Sequence, residues 1–324
     1  MKNIRRRQFL HLAAGAAALP LLRRPALAET YPSRPLRMIV PFAAGSAPDI
    51  IARLAGQWLS DGLGQPVIID NRPGAASNIG TEAAVRAAPD GYTLVMTVLT
   101  NVFNAELYKT LSFNFMTDIV HVGGVANAPY VVIVPPSFPA KTIPEFIAYA
   151  KANPGKINFA SGGKGSSSHI FGELFKIMTG IDMVHVPYRG VYMTDLMNNQ
   201  VQVVVNPIPQ ALELVRTGKL RALAVTTLKR LDALPNVPTV AESVPGYEAI
   251  GWYGLGMPKN TPADIVAKIN AVMNKALASA NAKVRLADLG VEPMPMTPAE
   301  FTKFVHSESD KWTKVIRQAG VTLE

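Results

Sequence analysis

The chain has 324 residues, 48% of them hydrophobic and 17% charged, which gives a globular protein with a large core and room for about two domains. The formal net charge is +9, but residues 1–28 hold six of the 32 basic residues and none of the 23 acidic ones, so +3 remains beyond them. No Lys/Arg-rich block is left to track a nucleic-acid backbone, and the absence of cysteine excludes disulfides, thiolate metal sites and a cysteine nucleophile.

The first 28 residues have the pattern of an export signal: a basic start over residues 2–7, an apolar centre over 9–22, and a small-residue cleavage site at Ala26-Leu27-Ala28. Gly15 and Pro20 interrupt the centre, which is too short to cross a bilayer as a helix. Arg6-Arg7-Gln8-Phe9-Leu10 resembles the twin-arginine export motif, with general secretion as the alternative. The mature chain is expected to begin near Glu29.

A strand, loop and helix follow. Leu36–Val40 reads as a buried strand, residues 41–49 as a small-residue loop, and residues 50–59 as a helix with Ile50, Leu54 and Trp58 on its apolar stripe. Residues 67–70 are a second strand, 71–78 a second loop, and a helix runs on through Glu82 and Val85. Pro89-Asp90-Gly91 is a turn before a third strand over residues 92–97. Strands alternating with helices predict a mostly parallel α/β sheet. His121–Val125 and Tyr130–Val134 read as two strands separated by Ala-Asn-Ala-Pro, the first candidate crossover into another domain. Thr142-Ile143-Pro144-Glu145 is a capping box whose helix runs to about Asn153. A strand over residues 157–160 leads into a loop over 161–168, and a helix from His169 ends at Gly180. Further strands are expected over 183–186, 201–205 and 220–225, with helices around Asp195 and Leu212. The return crossover is placed near residues 226–228. Residues 235–256, rich in Pro and Gly, read as irregular surface chain. Thr261-Pro262-Ala263-Asp264 and Thr297-Pro298-Ala299-Glu300 open the last two helices.

Enzyme motifs are missing. Gly165-Ser166-Ser167-Ser168-His169 is not a G-x-S-x-G elbow, Gly163-Lys164-Gly165 is not a Walker A loop, and a G-x-G-x-x-G fingerprint would need Gly where Ser168 stands. None of the five histidines makes an H-x-x-x-H pair. His169 and His185 either converge in space or are packed separately. What remains is three loops, each leaving a strand and opening onto a helix N-terminus, where unpaired amides and a partial positive charge favour an anion. In the first loop Phe42, Ala44, Gly45 and Ser46 are the candidates, with Ser46 and Asp49 read equally well as a capping box and Asp49 as structural. In the second, Gly74, Ala75, Ser77 and Asn78 are the candidates; Asn78 is also a plain N-cap, and Arg72 is a carboxylate clamp or a surface partner. In the third, Ser161, Gly165 and Ser166 face a flexible-loop alternative, and Lys164 a solvated one. Tyr188 stacks on a ligand or belongs to the core.

These same residues carry a family resemblance. Tyr31-Pro32…Arg34-Pro35, Val40-Pro41-Phe42-Ala43-Ala44-Gly45, Asn71-Arg72-Pro73-Gly74-Ala75…Asn78-Ile79-Gly80 and Pro89-Asp90-Gly91-Tyr92 resemble the Bug-family solute-binding proteins of tripartite tricarboxylate transporters. Asn153-Pro154-Gly155-Lys156, His185-Val186-Pro187-Tyr188-Arg189-Gly190, residues 218–225 and Pro235…Val237-Pro238-Thr239 continue the resemblance in order. It implies an α/β, two-lobed periplasmic binding protein of the type II kind, each lobe a mixed sheet flanked by helices, joined by two crossing hinge strands. Residues 29–125 with 229–324 would be lobe 1 and 126–228 lobe 2. It further implies a non-enzymatic periplasmic protein, monomeric and without cofactor or metal, that captures a small carboxylate for delivery to membrane transporter subunits. In the family the carboxylate rests on amides of the first two loops, and a serine-rich loop of the other lobe matches Ser161 and Ser166. Three departures stand out: Ser46 replaces a usual Gly, the segment after Gly190 is short, and Asn206 stands where Asp is frequent. The loss of that carboxylate predicts a ligand without an amino group, with Tyr192 and Met193 giving an apolar wall. Two alternatives remain: an exported serine hydrolase using Ser166 or Ser168 with His169, and a ligand-presenting partner of a sensor.

Overall fold

Aliphatic and β-branched runs become the strands that position everything else. The structure, a computed structural model, describes residues 31–108 and 110–321; the export-signal segment lies outside the described residues. Residues 34–324 form one unit, distinct from residues 1–33. β1 (Leu36–Val40) is followed by α1 (Ala47–Leu63), β2 (Val67–Asn71), α2 (Asn78–Val85) and β3 (Thr93–Val98). Next come α3 (Leu99–Leu107), α4 (Phe115–Asp118), β4 (Ile119–Val134), α5 (Ile143–Ala152), β5 (Asn158–Ser161) and α6 (Ser167–Thr179). β6 (Val184–Pro187), α7 (Met193–Met197), β7 (Val203–Pro207), α8 (Ile208–Arg216) and β8 (Arg221–Val225) lead to β9 (Ile250–Pro258). α9 (Ala263–Ala278), α10 (Ala280–Asp288) and α11 (Pro298–Ala319) close the chain.

The strand order is β2-β1-β3-β9-β4-β7-β5-β6, with β8 also paired to β4. β2, β1 and β3 are parallel, as are β7, β5 and β6, while β9 and β4 run antiparallel to their neighbours between the two groups. The sheet is therefore mixed rather than mostly parallel.

Two expectations are corrected at its centre. The two strands expected around Ala126–Pro129 are one continuous 16-residue strand, β4. Its first part, through Pro129, pairs with β9; from Tyr130 it pairs with β7 and β8. Pro129 has no N–H to donate, and it sits where the strand exchanges partners, so the ladder tolerates it. Likewise, residues 250–256 are not irregular surface chain but most of the buried strand β9. The glycines that suggested a loop are there for close packing: a Cβ on Gly254 would come 2.1 Å from Phe301 Cζ of α11.

α1 starts at Ala47, three residues before the expected Ile50, and its face is rotated. Ile51, Ala52, Ala55, Gly56 and Leu59 are buried, whereas Ile50, Leu54 and Trp58 are only half-buried. Small residues take the inner face because the helix lies close on β2. α6 begins two residues earlier than expected, at Ser167. Thr297 and Glu300 do form the expected capping box on α11, whereas Thr261 does not cap α9.

Candidate functional site

The carboxyl ends of β1, β2, β3 and β5 open onto one cleft of about 860 Å³. That is a volume suited to a small molecule. Residues at the N-terminal ends of four helices line it: Ser46 and Ala47 of α1, Ser77 of α2, Leu99 and Thr100 of α3, and Ser166 and Ser167 of α6. First-turn amides have no intrahelical acceptor, so each end offers donors and a partial positive charge. Among the described residues, no Asp or Glu lines it, and the two charged lining residues, Lys164 and Arg189, are basic.

The first loop is shaped from behind by Asp49. Its carboxylate accepts from Gly45 N, Arg53 Nε and Asn71 Nδ2, each at 2.9 Å. Asn71 Nδ2 also donates to Phe42 O at 3.1 Å. Burial pushes the Asp49 carboxyl up, but the Arg53, Gly45 and Asn71 hydrogen bonds outweigh it and hold the group below its ordinary value. Asp49 is structural, as expected, but the capping box is not formed. Ser46 is the backbone N-cap, its hydroxyl makes no capping bond, and Ser46 Oγ is buried without a partner. Gly80 brings the second loop against the first, since a Cβ there would meet Pro41 Cα at 2.7 Å and Arg72 O at 2.8 Å.

The second loop is strained. Ala75, Ala76 and Ser77 have φ of 45°, 48° and 80°, a left-handed run that costs non-glycine residues roughly 1–2 kcal/mol each. Such a run persists only where its surroundings over-determine it. Here they are α3: Asn104 Nδ2 donates to Ala76 O at 2.6 Å and to Asn78 Oδ1 at 2.7 Å, and Asn101 Nδ2 donates to Thr81 Oγ1 at 2.8 Å and Ser77 Oγ at 3.2 Å. Ser77, not Asn78, is the N-cap of α2; Asn78 is its first residue. Arg72 pairs with Asp70 at 2.8 Å, the surface alternative to a clamp.

The third loop is held from below by two histidines. His169 and His185 do converge, with ring centroids 3.8 Å apart and stacked. His169 Nδ1 accepts from Gly165 N at 3.0 Å, and His185 Nε2 lies 2.6 Å from Ser161 Oγ. Burial, then the neighbouring His185 and lysines, pull His169 down to about 3; burial, then Lys164 and Lys176, pull His185 down to about 4. Both rings are neutral at pH 7. Ser166 Oγ accepts from His169 N at 3.4 Å as the cap of α6, so the serine meets the histidine backbone rather than its ring. That geometry is a helix cap, not a nucleophile and base.

Of the expected site residues, Phe42, Ser46, Gly74, Ala75, Ser77, Ser166 and Tyr188 line the cleft together. Ala44, Gly45, Asn78, Ser161, Gly165 and Asn206 do not. Ala44 and Gly45 are exposed. Ser161 and Gly165 hold the two histidines, and Asn206, fully buried, accepts from Tyr192 OH at 2.8 Å. Sequence reasoning missed Thr100, Tyr130, Trp252 and Tyr253. Thr100 sits on a helix without a cap signal, and Tyr130, Trp252 and Tyr253 fall on strands or segments read differently.

The "Tripartite tricarboxylate transporter family receptor" family matches residues 51–321. The chain is 35% identical over 305 residues to Protein BugT of Bordetella pertussis, covering 93% of this chain and 94% of that protein. Among solved structures it resembles R. palustris Rpa4515 with adipate, at 34% identity and TM-score 0.87, covering 90% and 99% of the two chains. It also resembles MatC from Rhodopseudomonas palustris with bound malate, at 31% identity and TM-score 0.83, covering 88% and 100%.

Proposed function

The chain belongs to the tripartite tricarboxylate transporter receptor family, and we propose that it captures a small carboxylate in the cleft for delivery to a membrane transporter. One observation carries this reading: four helix N-termini converge on one cleft whose lining, among the described residues, contains no acidic side chain. Hydroxyl bookkeeping supports it. Ser77 Oγ accepts from Asn101 and Asn104, and Ser166 Oγ accepts from His169 N, so each keeps its own proton to give. Ser46 Oγ has no partner at all. Hydroxyls with their acceptor side engaged suit a ligand that only accepts, which is what a carboxylate does.

The carboxylate lies on the first two loops, with Ser46 and Ser77 donating and Ser166 and Tyr188 facing from the third loop's side. An amine finds no counter-charge there. Capture is by hinge closure between the two lobes drawn from the sequence, bending in β4 and near residues 226–228, with the ligand stabilising the closed form. Residues 1–28 direct export, by the twin-arginine route, to the periplasm. The protein is a binding protein rather than an enzyme, and acts as a monomer. The adipate and malate named with Rpa4515 and MatC support the carboxylate class.

A thermal-shift screen of mono-, di- and tricarboxylates tests this. A ligand at about 100 times its Kd adds roughly 2.7 kcal/mol, a rise of several degrees in Tm for a chain this long. No shift with any carboxylate, and binding of sugars or cations instead, defeats the reading.

A further inference from the structure

Burial grades the lining of the cleft. Its buried lining includes four aromatic side chains, Trp252 at 1%, Tyr253 at 2%, Tyr192 at 4% and Tyr130 at 7%, beside equally buried small and hydroxyl residues such as Ala47, Ser77 and Thr100. Phe42 and Tyr188, half-buried, stand on the loops after β1 and β6, toward opposite ends of the sheet order. Among the described residues, the charged ones in the lining are Lys164 and Arg189, which are exposed and therefore belong to the rim. The deep part has no cation among the described residues.

Three of the rings are also fixed. Tyr192 OH donates to Asn206 Oδ1 at 2.8 Å, Tyr188 OH donates to Asp195 Oδ2 at 2.7 Å, and the two rings meet edge to face with centroids 5.8 Å apart. Tyr130 is braced edge-on by Phe171, centroids 4.7 Å apart. Rings held by hydrogen bonds at their far ends present flat apolar surface at little entropic cost on binding. A short dicarboxylate filling this space would set its second charge beside phenols and an indole, with only the hydroxyls and first-turn amides of α3 and α6 to meet it and no partner cation among the described residues. A flat ring would bury none.

We propose that the ligand is a planar, ring-bearing monocarboxylate of the benzoate class. Its carboxylate lies on the first two loops and its ring among Tyr130, Tyr188, Tyr192 and Trp252. This rests on the carboxylate assignment made above. Tyr192 is the residue that sets the preference, because it stands in the shortened segment after Gly190 and is locked by Asn206.

The test is a calorimetric titration of the purified protein with benzoate, cyclohexanecarboxylate, adipate and malate, repeated on Tyr192→Leu. Stacking on a fixed aromatic wall predicts benzoate binding about tenfold tighter than cyclohexanecarboxylate and than either dicarboxylate. Tyr192→Leu, which keeps apolar volume but removes the ring, is expected to weaken benzoate about tenfold and cyclohexanecarboxylate by no more than about threefold. Adipate or malate binding more tightly than benzoate overturns the ring preference and leaves the carboxylate receptor standing. So does equal affinity for benzoate and cyclohexanecarboxylate. Binding of no carboxylate removes both. If Tyr192→Leu does not fold, the rank order on the unaltered protein decides alone.

Discussion

A buried hydroxyl with no partner is costly, and Ser46 Oγ is one of few that lie beside the cleft. Its spacing to Asp49 suggested a capping box, yet Asp49 is drawn to Gly45, Arg53 and Asn71 instead. The local pattern was visible in the sequence; the competition from Asn71, on a distant strand, was not. Since the hydroxyl stabilises nothing in the free protein, Ser46→Ala is expected to leave the unliganded Tm unchanged or higher. The same variant should weaken carboxylate binding by about tenfold, the loss of one charge-assisted hydrogen bond. A drop in Tm with unchanged affinity would return Ser46 to a cap. Asn104 works the other way. Its amide holds Ala76 and Asn78 of the strained loop, so Asn104→Ala is expected to cost about 1–3 kcal/mol in denaturant unfolding and to weaken the ligand as well. Nothing in residues 99–107 announced that role, because a buried asparagine reads as an ordinary polar residue until its partner loop is known.

At the scale of elements, the first, second and fifth strand-loop-helix units were legible because each has an aliphatic run followed by small residues and a polar helix start. The centre of the sheet was not. β4 carries Gly123, Gly124 and Pro129, and β9 carries Gly251, Gly254 and Gly256, all turn signals in isolation. The glycines sit in buried strands because α9, residues 294–296, α11 and neighbouring strands come too close for a side chain. Gly254→Ala is therefore expected to destabilise the fold by about 1–3 kcal/mol through its clash with Phe301. Urea unfolding measures this, and a change within about 0.5 kcal/mol would show that α11 yields easily. α3 was missed for a related reason: its N-cap is Val98, and the bond that closes its first turn is Asn101 Oδ1 accepting from Val98 N at 2.8 Å. A hydrophobic cap gives no signal.

For the whole molecule, three histidines, His121 and His169 buried and His185 half-buried, predict a loss of stability in acid. His121 lies between Phe115 and Phe301 with neither ring nitrogen paired, and burial pulls it down to about 4. His169 and His185 are held at about 3 and about 4 beneath the third loop. All three have folded pKa values below the ordinary 6.5, so the unfolded chain binds more protons between those limits. Stability from this source is complete above about pH 6.5 and falls as pH drops toward 4 and then 3. Calorimetric Tm against pH should show that decline, and His121→Leu should flatten part of it. A Tm flat from pH 7 to 4 would contradict the assignment. The family read from eight short runs is the one whose model matches residues 51–321, and the anion-binding logic of helix N-termini pointed to loops that line one cleft. Tyr188 and Tyr192 were legible in the sequence, but the rest of the aromatic lining stayed hidden because Tyr130, Trp252 and Tyr253 are far apart in sequence and come together only once β4 and β9 pair.

Anion recognition is tested most directly by calorimetric titration with a carboxylate and its primary amide, benzoate against benzamide. The two share shape and differ in charge and in donor groups. Binding of benzoate with at least about a hundredfold preference over benzamide is predicted, since the amide would place its own N–H donors against the donors of the cleft. Equal affinity for the two, or preference for the amide, would contradict a carboxylate receptor.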